Sequence, residues 1–322
     1  MPFVGEILKY RSVSIVGLSK NAGKTECLNY IIKRLPLDYF NVAVTSIGID
    51  GETTDQVTGT AKPEITVREG MFFATSEKHF RQKRPLSELY AVSDENTALG
   101  RVVTAKALQE GKVLLSGPSS AAALKRWMRS LKDFGIDLIL IDGALSRLST
   151  ASPAVSEAMV LSTGAAYSAN IRELVGKTAY VVELIRLPLY VGPEPGIRVS
   201  SFSSLDAGML KGNPVIEVEG ALTDRLLQMV RQGLGEGEVE LVVGDFTKVF
   251  CSQELYRAFI RRGGRISVRM KSELLAVCVN PKAPNGIVLD SDILCKELSM
   301  RIGLPVYDIV KNDYELEPAG RK

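Results

Sequence analysis

The sequence predicts an α/β protein in which a doubly wound parallel sheet is followed by a second, smaller α/β domain. Three observations support this fold class. Strand-like and helix-like segments alternate over residues 1–190, as they do when helices connect parallel strands. A glycine-rich stretch at 17–25 lies between the first strand-like segment and the first helix-like segment. Four consecutive apolar residues, 138–141, run into Asp142, as expected for a central strand that is buried on both faces.

Size and composition limit the possible functions. The 322 residues, 45% of them hydrophobic, are enough for two domains with substantial cores. The net charge is only +3 and neither sign forms a long block, so we do not expect a nucleic-acid binder. The densest basic cluster, 78–84, is interpreted as a solvated loop.

The cysteine pattern bears on metal binding and disulfides, and the hydropathy pattern bears on the cellular compartment. Four cysteines without C-x-x-C spacing and a single histidine support neither a zinc site nor a disulfide framework. No stretch reaches the roughly 18 apolar residues of a membrane helix, and the N-terminus lacks the apolar core of a secretory signal. We therefore expect a cytoplasmic protein that does not bind membranes.

The stretch GLSKNAGKT, residues 17–25, predicts a phosphate-binding loop. An apolar, β-branched run at 12–16 precedes it, and a segment with apolar residues at helical spacing, 26–35, follows it. This strand–loop–helix context is the one that a phosphate-binding loop requires. Successive backbone N–H groups and the positive end of a helix attract phosphate, and glycine lets the chain approach closely. A glycine-rich turn that only caps the helix is the alternative.

Residue types within the loop predict separate roles in binding ATP and Mg²⁺. Lys24 is placed to reach the β- and γ-phosphates, and Thr25 is placed to ligate Mg²⁺ through its hydroxyl. The candidate nucleotide contacts are Gly17, Ser19, Asn21, Ala22, Gly23, Lys24, Thr25 and Glu26.

Two aspartates at the ends of predicted strands are candidate Mg²⁺ ligands and, together with Lys24, candidate catalytic groups. Asp50 follows the second strand-like run, with Glu52 behind it. Asp142 ends the central strand, where a Walker B aspartate is expected and where its charge could offset that of Mg²⁺. At both positions an Asp-Gly turn is the alternative, because aspartate and glycine are common turn residues.

The remaining chain predicts a capped helix and a second domain. Ser119 and Ser120 precede a predicted helix and are expected to cap it or to line the site. The segment 191–214, rich in proline and glycine, is interpreted as a linker between a nucleotide-binding domain at 1–190 and a smaller α/β domain at 215–322. An N-K-x-D signature for reading guanine is not present, which weakly favours ATP over GTP.

The loop spacing points to one class of nucleotide-binding proteins. Gly17 stands six residues before Gly23, one residue more than in the common G-x-x-x-x-G-K-[ST] pattern. This longer loop resembles the P-loops of dethiobiotin synthetase and cobyrinate amidase type ATPases, a branch of the deviant-Walker (SIMIBI) class of P-loop NTPases. Members of this class often pair two P-loops across a dimer. The resemblance thus implies a possible homodimer, in which Lys20 could reach the other subunit's site, although a loop lysine is ordinarily solvated.

Five strings together resemble a narrower family, the ATPase-like subunit of reactivating factors for lysine 5,6-aminomutase, an adenosylcobalamin enzyme. The strings are GLSKNAGKT, DGALSRLSTASP from Asp142, LSTGAAYS from Leu161, NPKAPNG from Asn280 and LPVYDIV from Leu304. The resemblance implies a chaperone-like role in which nucleotide binding and hydrolysis drive the exchange of damaged cobalamin. The implied partners are a cobalamin-dependent aminomutase and a second reactivase subunit.

Two other functions stay open at this point. An ATP-dependent synthetase or small-molecule kinase of the dethiobiotin synthetase type needs polar groups that anchor a substrate, and Ser119, Ser120 and Arg147 are the candidates. A nucleotide-binding regulator without turnover is the third possibility, because no water-orienting glutamine or arginine can be identified in the sequence.

Overall fold

The computed structural model describes residues 2–47, 64–82, 85–97, 99–144, 152–200, 215–233 and 238–314. The helices in these ranges are α1 (Pro2–Ile7), α2 (Lys24–Arg34), α3 (Glu77–Gln82), α4 (Ala121–Ser130), α5 (Ile171–Ile185), α6 (Asp224–Gly233), α7 (Gln253–Arg261), α8 (Ser291–Ile302) and α9 (Ile309–Tyr314). None of the helices described here combines the length and apolar character needed to cross a bilayer.

The strands follow one another along the same ranges. They are β1 (Ser12–Gly17), β2 (Val42–Ser46), β3 (Ile65–Val67), β4 (Phe72–Ser76), β5 (Ser87–Thr97), β6 (Gly100–Ala107), β7 (Gly111–Val113), β8 (Leu138–Ala144), β9 (Ala158–Gly164), β10 (Ile197–Ser200), β11 (Val215–Glu219), β12 (Leu222–Thr223), β13 (Val239–Val243), β14 (Val249–Phe250), β15 (Gly264–Val268), β16 (Glu273–Asn280) and β17 (Val306–Asp308).

The chain divides into two compact units. Unit 1 consists of Met1–Ala151, Val155–Thr178 and Leu274–Lys322, and unit 2 consists of Ser152–Ala154 and Ala179–Glu273. In sequence, unit 2 is therefore an insertion into unit 1.

The predicted boundaries differ from this division. The segment 215–322, expected to be one domain, is split, because β16 and β17 pair within the sheet of unit 1. The predicted linker at 191–214 contains β10, which belongs to the sheet of unit 2. Alternating strands and helices reveal the fold class, but they do not reveal which sheet a strand joins.

The large sheet of unit 1 is mostly parallel. In the described ranges its nine strands have the order β17-β16-β9-β1-β8-β2-β4-β6-β5. β1 pairs in parallel with both β8 and β9, and parallel pairing continues from β8 through β2 to β4. Only the β4–β6 and β5–β6 pairs among those described in this sheet are antiparallel. The prediction of a mixed α/β fold built on a largely parallel sheet is confirmed.

Both faces of the large sheet are covered. Leu138 and Leu140 of β8 belong to a hydrophobic cluster with α2, whereas Ile139 and Ile141 belong to a cluster that contains Trp127 of α4. Successive strand residues point to opposite faces, so β8 is buried on both. This is why the strand appears in the sequence as an unbroken apolar run.

The small sheet of unit 2 is parallel throughout its described strands, in the order β10-β11-β13-β15. Asp245 follows β13 and is buried. Its carboxylate accepts hydrogen bonds from Ser152 Oγ at 2.7 Å and from the Thr247 N–H at 2.8 Å. These bonds explain how the short segment Ser152–Ala154 is held in unit 2.

Close backbone packing at Gly117 provides a test of the fold of unit 1. A Cβ at this position would lie 1.6 Å from the Ser46 carbonyl oxygen. Gly117→Ala should therefore lower the free energy of unfolding by roughly 1–3 kcal/mol, the usual cost of overpacking. Gly176→Ala is the matched control, because nothing lies within 4 Å of the added methyl group. It should raise stability by about 0.5–1 kcal/mol, since it replaces a glycine inside α5.

The measurement is urea denaturation followed by the fluorescence of Trp127, the single tryptophan of the chain, which lies in α4 of unit 1. Equal midpoints for the two variants would contradict the described packing of the 114–120 loop against β2.

Candidate functional site

The 17–25 loop connects β1 to α2 through a left-handed turn. β1 ends at Gly17 and α2 begins at Lys24, with Gly23 as its N-cap residue. Gly23 has φ 86° and Asn21 has φ 61°. Glycine adopts this conformation freely, and asparagine adopts it more readily than most residues with a side chain. The predicted strand, loop and helix are all present.

No side chain in the described ranges caps the N-terminus of α2. Gly23 cannot supply one, whereas Ser120 accepts a hydrogen bond from the Ala123 N–H at the start of α4. The first N–H groups of a helix have no acceptor within the helix. At α2 these groups, and the positive end of the helix dipole, are suited to an anion.

Lys24 and Asp142 meet beside this helix end. Lys24 Nζ lies 2.7 Å from Asp142 Oδ1, and the two side chains are 25% and 18% exposed. Asp142 is in register with Ile15 of the neighbouring strand β1, so its position follows from the β1–β8 pairing. The attraction between two opposite charges at this distance does not depend on hydrogen-bond angles. The structure therefore brings together two of the three predicted catalytic candidates.

Two buried hydroxyls border the loop without a hydrogen-bond partner among the described residues. They are Ser19 Oγ, within the loop, and Ser162 Oγ in β9. Ser162 is in register with Gly17, and its carbonyl oxygen accepts a hydrogen bond of 2.9 Å from the Leu18 N–H. Buried polar groups usually have a partner, so these hydroxyls fit a polar ligand at the loop.

The other predicted loop residues have the following positions. Ala22 is buried and Lys20 is exposed. Thr25 and Glu26 lie in the first turn of α2, where an acidic side chain such as that of Glu26 is favoured by the helix dipole.

The 114–120 loop lies next to the strand end that carries Asp142. The Gly117 N–H donates a 3.2 Å hydrogen bond to Ser46 Oγ, and Ser46 is in register with Asp142. Ser120 caps α4, as predicted, and both Ser119 and Ser120 are exposed. Their hydroxyls thus lie on a loop that is anchored one strand away from Asp142.

His79 helps to hold this loop. Its Nδ1 lies 2.6 Å from Ser116 Oγ, and both residues are buried. The interpretation of 78–84 as a solvated loop is therefore wrong at His79, which belongs to α3 and faces inward. A short helix with one buried position has too few residues to show a periodic pattern in the sequence.

Asn280 was missed as a site residue. It ends β16, and its Nδ2 donates a 3.2 Å hydrogen bond to the carbonyl oxygen of Asn21. The sequence signal for Asn280 is the same as that for Asp142. In both cases a polar residue directly follows an apolar strand-like run, which for Asn280 spans 274–279. The assignment of this strand to a separate domain concealed it.

The packing beneath this contact joins α2 to β16. Cys27 Sγ and Cys278 Sγ lie 3.6 Å apart, and both side chains are buried. The hydrogen bond with Cys27, together with burial, raises the pKa of Cys278 well above its ordinary value. The Cys278 thiol therefore remains protonated near neutral pH, and it packs against the buried Cys27 side chain.

Some predicted residues lie outside the described residues, namely Asp50, Glu52 and Arg147. Among the residues that are described, no three or more His, Cys, Asp or Glu side chains form a cluster that could hold a metal. Mg²⁺ usually takes one or two protein carboxylates and completes its shell with phosphates and water. The oxygens of Thr25 and Asp142 have the chemistry for such a site.

Neither a scan against protein-family models nor a search of curated proteins finds a match to this chain. The functional argument therefore depends on the geometry of the loop and on the resemblance of its sequence.

The Lys24–Asp142 ion pair suggests a test of whether Asp142 binds Mg²⁺. Asp142→Asn should remove the Mg²⁺-dependent part of ATP affinity, because the amide keeps the shape but loses the charge. In EDTA the same variant should bind ATP as well as the parent or up to about fivefold more tightly, because Lys24 no longer has a competing anion.

Calorimetry with and without Mg²⁺ measures both effects. Asp137→Asn, at the exposed residue just before the same strand, is the matched control and should behave as the parent. A loss of affinity in Asp142→Asn that is equal with and without Mg²⁺ would show that Asp142 has a structural role only.

Proposed function

We propose that this chain is a P-loop NTPase that binds Mg·ATP at the 17–25 loop. The observation that carries the proposal is the ion pair of Lys24 with Asp142 at the uncapped N-terminus of α2. A loop that served only to cap the helix would not need a lysine and an aspartate from a neighbouring strand beside the helix end. The buried hydroxyl of Ser19, which has no hydrogen-bond partner in the part of the chain that the structure describes, supports the same conclusion.

Each residue has a distinct task in this proposal. The N–H groups at the start of α2 and the backbone of the loop bind the phosphate oxygens, and Lys24 leaves Asp142 to place its charge on the β- and γ-phosphates. Thr25 and Asp142 would hold Mg²⁺, with Asp50 as the further predicted ligand. When bound, Mg²⁺ neutralises charge on the phosphates and on the leaving group.

We further propose that the ATPase acts on a protein partner, as a reactivating factor for a cobalamin-dependent aminomutase together with a second reactivase subunit. This part is supported by the five resembling strings. Low basal turnover is expected, because no water-orienting residue can be identified in the sequence. A cytoplasmic location and a possible homodimer belong to the same proposal.

The alternative is an ATP-dependent synthetase or small-molecule kinase of the dethiobiotin synthetase type. One observation favours it. The exposed residue Ser119, next to the α4 cap residue Ser120, lies on a loop anchored one strand from Asp142, where a small substrate could meet the terminal phosphate. ATP would then serve as a phosphoryl donor to a metabolite.

Nucleotide binding is tested first. Lys24→Ala should weaken ATP binding by roughly ten- to hundredfold, since hydrogen bonds to charged groups are worth about 1.5–3 kcal/mol. Lys33→Ala removes an exposed lysine near the other end of α2 and should bind ATP as the parent does. Isothermal calorimetry decides between the outcomes, and equal affinity in the two variants would remove the P-loop assignment.

Turnover separates the two functions. If the chain serves a protein partner, basal ATP hydrolysis should be slow, because a group supplied by a partner is worth ~10³ to 10⁵ in rate elsewhere. Adding inactivated aminomutase, the second subunit and free adenosylcobalamin should then stimulate ATP hydrolysis. The aminomutase should regain its activity in the same mixture. Lys24→Ala should abolish both effects.

The control arm presents small carboxylates and amines with ATP and no other protein. ADP formed in stoichiometric amounts with one of these metabolites would contradict the reactivating-factor proposal and support the synthetase or kinase.

A further inference from the structure

The peptide group between Asn21 and Ala22 is held from both sides. Its carbonyl oxygen accepts a 3.2 Å hydrogen bond from Asn280 Nδ2, and its N–H donates to the Ser19 carbonyl oxygen at 3.4 Å. This peptide group lies immediately before Gly23, where α2 begins. Its orientation therefore decides where the next N–H groups point.

The strained conformation of Asn21 makes such a restraint necessary. Asn21 is the non-glycine residue with a positive φ, 61°, in the described part of the chain. A side-chain-bearing residue in this region is less stable than in the ordinary helical or extended regions, and it persists where surrounding contacts fix it. The hydrogen bond from Asn280 is a contact of this kind.

The orientation of the Asn280 amide is itself determined by its neighbours. Asn280 Oδ1 accepts a hydrogen bond from the Lys282 N–H at 3.1 Å, so the nitrogen end of the amide must face Asn21. The backbone of Asn280 is held as well, because its carbonyl oxygen accepts from the Ala165 N–H at 2.9 Å. The donor that reaches the loop is thus pre-oriented.

Two glycines leave Asn280 the room it occupies. A Cβ at Gly23 would lie 2.8 Å from Asn280 Cβ, and a Cβ at Gly164 would lie 2.0 Å from the Asn280 carbonyl oxygen. Asn280 therefore packs directly against the turn of the loop, in a space that exists because both neighbours lack side chains.

We propose that Asn280 is a positioning residue that holds the 17–25 loop in the conformation that binds phosphate. The inference depends on the proposed nucleotide function and adds a residue that is distant in sequence. Asn280 acts on the phosphates through the Asn21–Ala22 peptide group. Removal of the Asn280 amide should weaken the binding of any ligand that carries the same phosphate chain, whether or not a base is attached.

The test uses two probes, Mg·ATP and inorganic tripolyphosphate, which has no base or ribose. Asn280→Ala should weaken the binding of both by the same factor, roughly five- to tenfold, as expected for one lost hydrogen bond. Asn280→Asp keeps the shape but places an acceptor against the Asn21 carbonyl oxygen, and it should weaken both probes further.

Asn285→Ala and Asn285→Asp are the matched controls. Asn285 lies in the loop that follows Asn280, and its Oδ1 accepts from the Ile287 N–H. These variants make the same chemical changes five residues further along the chain, and both probes should bind them as they bind the parent. Calorimetry gives the affinities, and the fluorescence of Trp127 confirms that unit 1 is folded in every variant.

The outcomes separate this inference from the proposed function. A parent protein that binds neither probe would overturn the proposed function and this inference with it. If the parent binds and Asn280→Ala binds ATP and tripolyphosphate equally well, the inference alone is overturned. A loss confined to ATP, with tripolyphosphate unaffected, also overturns it, because Asn280 would then contact the nucleoside and would not act through the loop.

Discussion

The ion pair between Lys24 and Asp142 is the interaction on which the candidate site depends. It exists because β1 and β8 pair in parallel, so that the loop after β1 and the carboxylate near the end of β8 lie at one edge of the large sheet. In the absence of an anion the two charges neutralise each other. A phosphate chain would provide Lys24 with a stronger set of acceptors and would leave Asp142 available to a metal ion. The pair thus holds both groups in place at the candidate site.

The fold fixes this arrangement from both faces of the sheet. β8 contributes alternate residues to two hydrophobic clusters, one with α2 and one with α4, so it cannot shift without opening a core. The loop itself is held by β9 through Ser162 and by β16 through Asn280. Unit 2 is inserted in sequence before β16, and the chain then returns to complete the surroundings of the loop.

The sequence predicted local features well and long-range ones poorly. The β1–loop–α2 motif, the strand before Asp142 and the cap at Ser120 each depend on a few neighbouring residues, and all are present. β5 was missed because register shifts at Leu89/Ala91 and Val92/Asn96 break the alternation that marks a strand. In the site, the motif and the strand end identified Lys24 and Asp142. Asn280 lies 259 residues from its partner Asn21, and only the strand order of the folded sheet brings the two together.

The most direct test of the central claim is a crystal structure of the chain with Mg²⁺ and a non-hydrolysable ATP analogue. The account predicts that the phosphates lie against the 17–25 loop. It also predicts that Lys24 Nζ has moved from Asp142 Oδ1 to a β- or γ-phosphate oxygen, with Asp142 facing the metal. An analogue bound elsewhere, with the Lys24–Asp142 pair intact, would contradict the account.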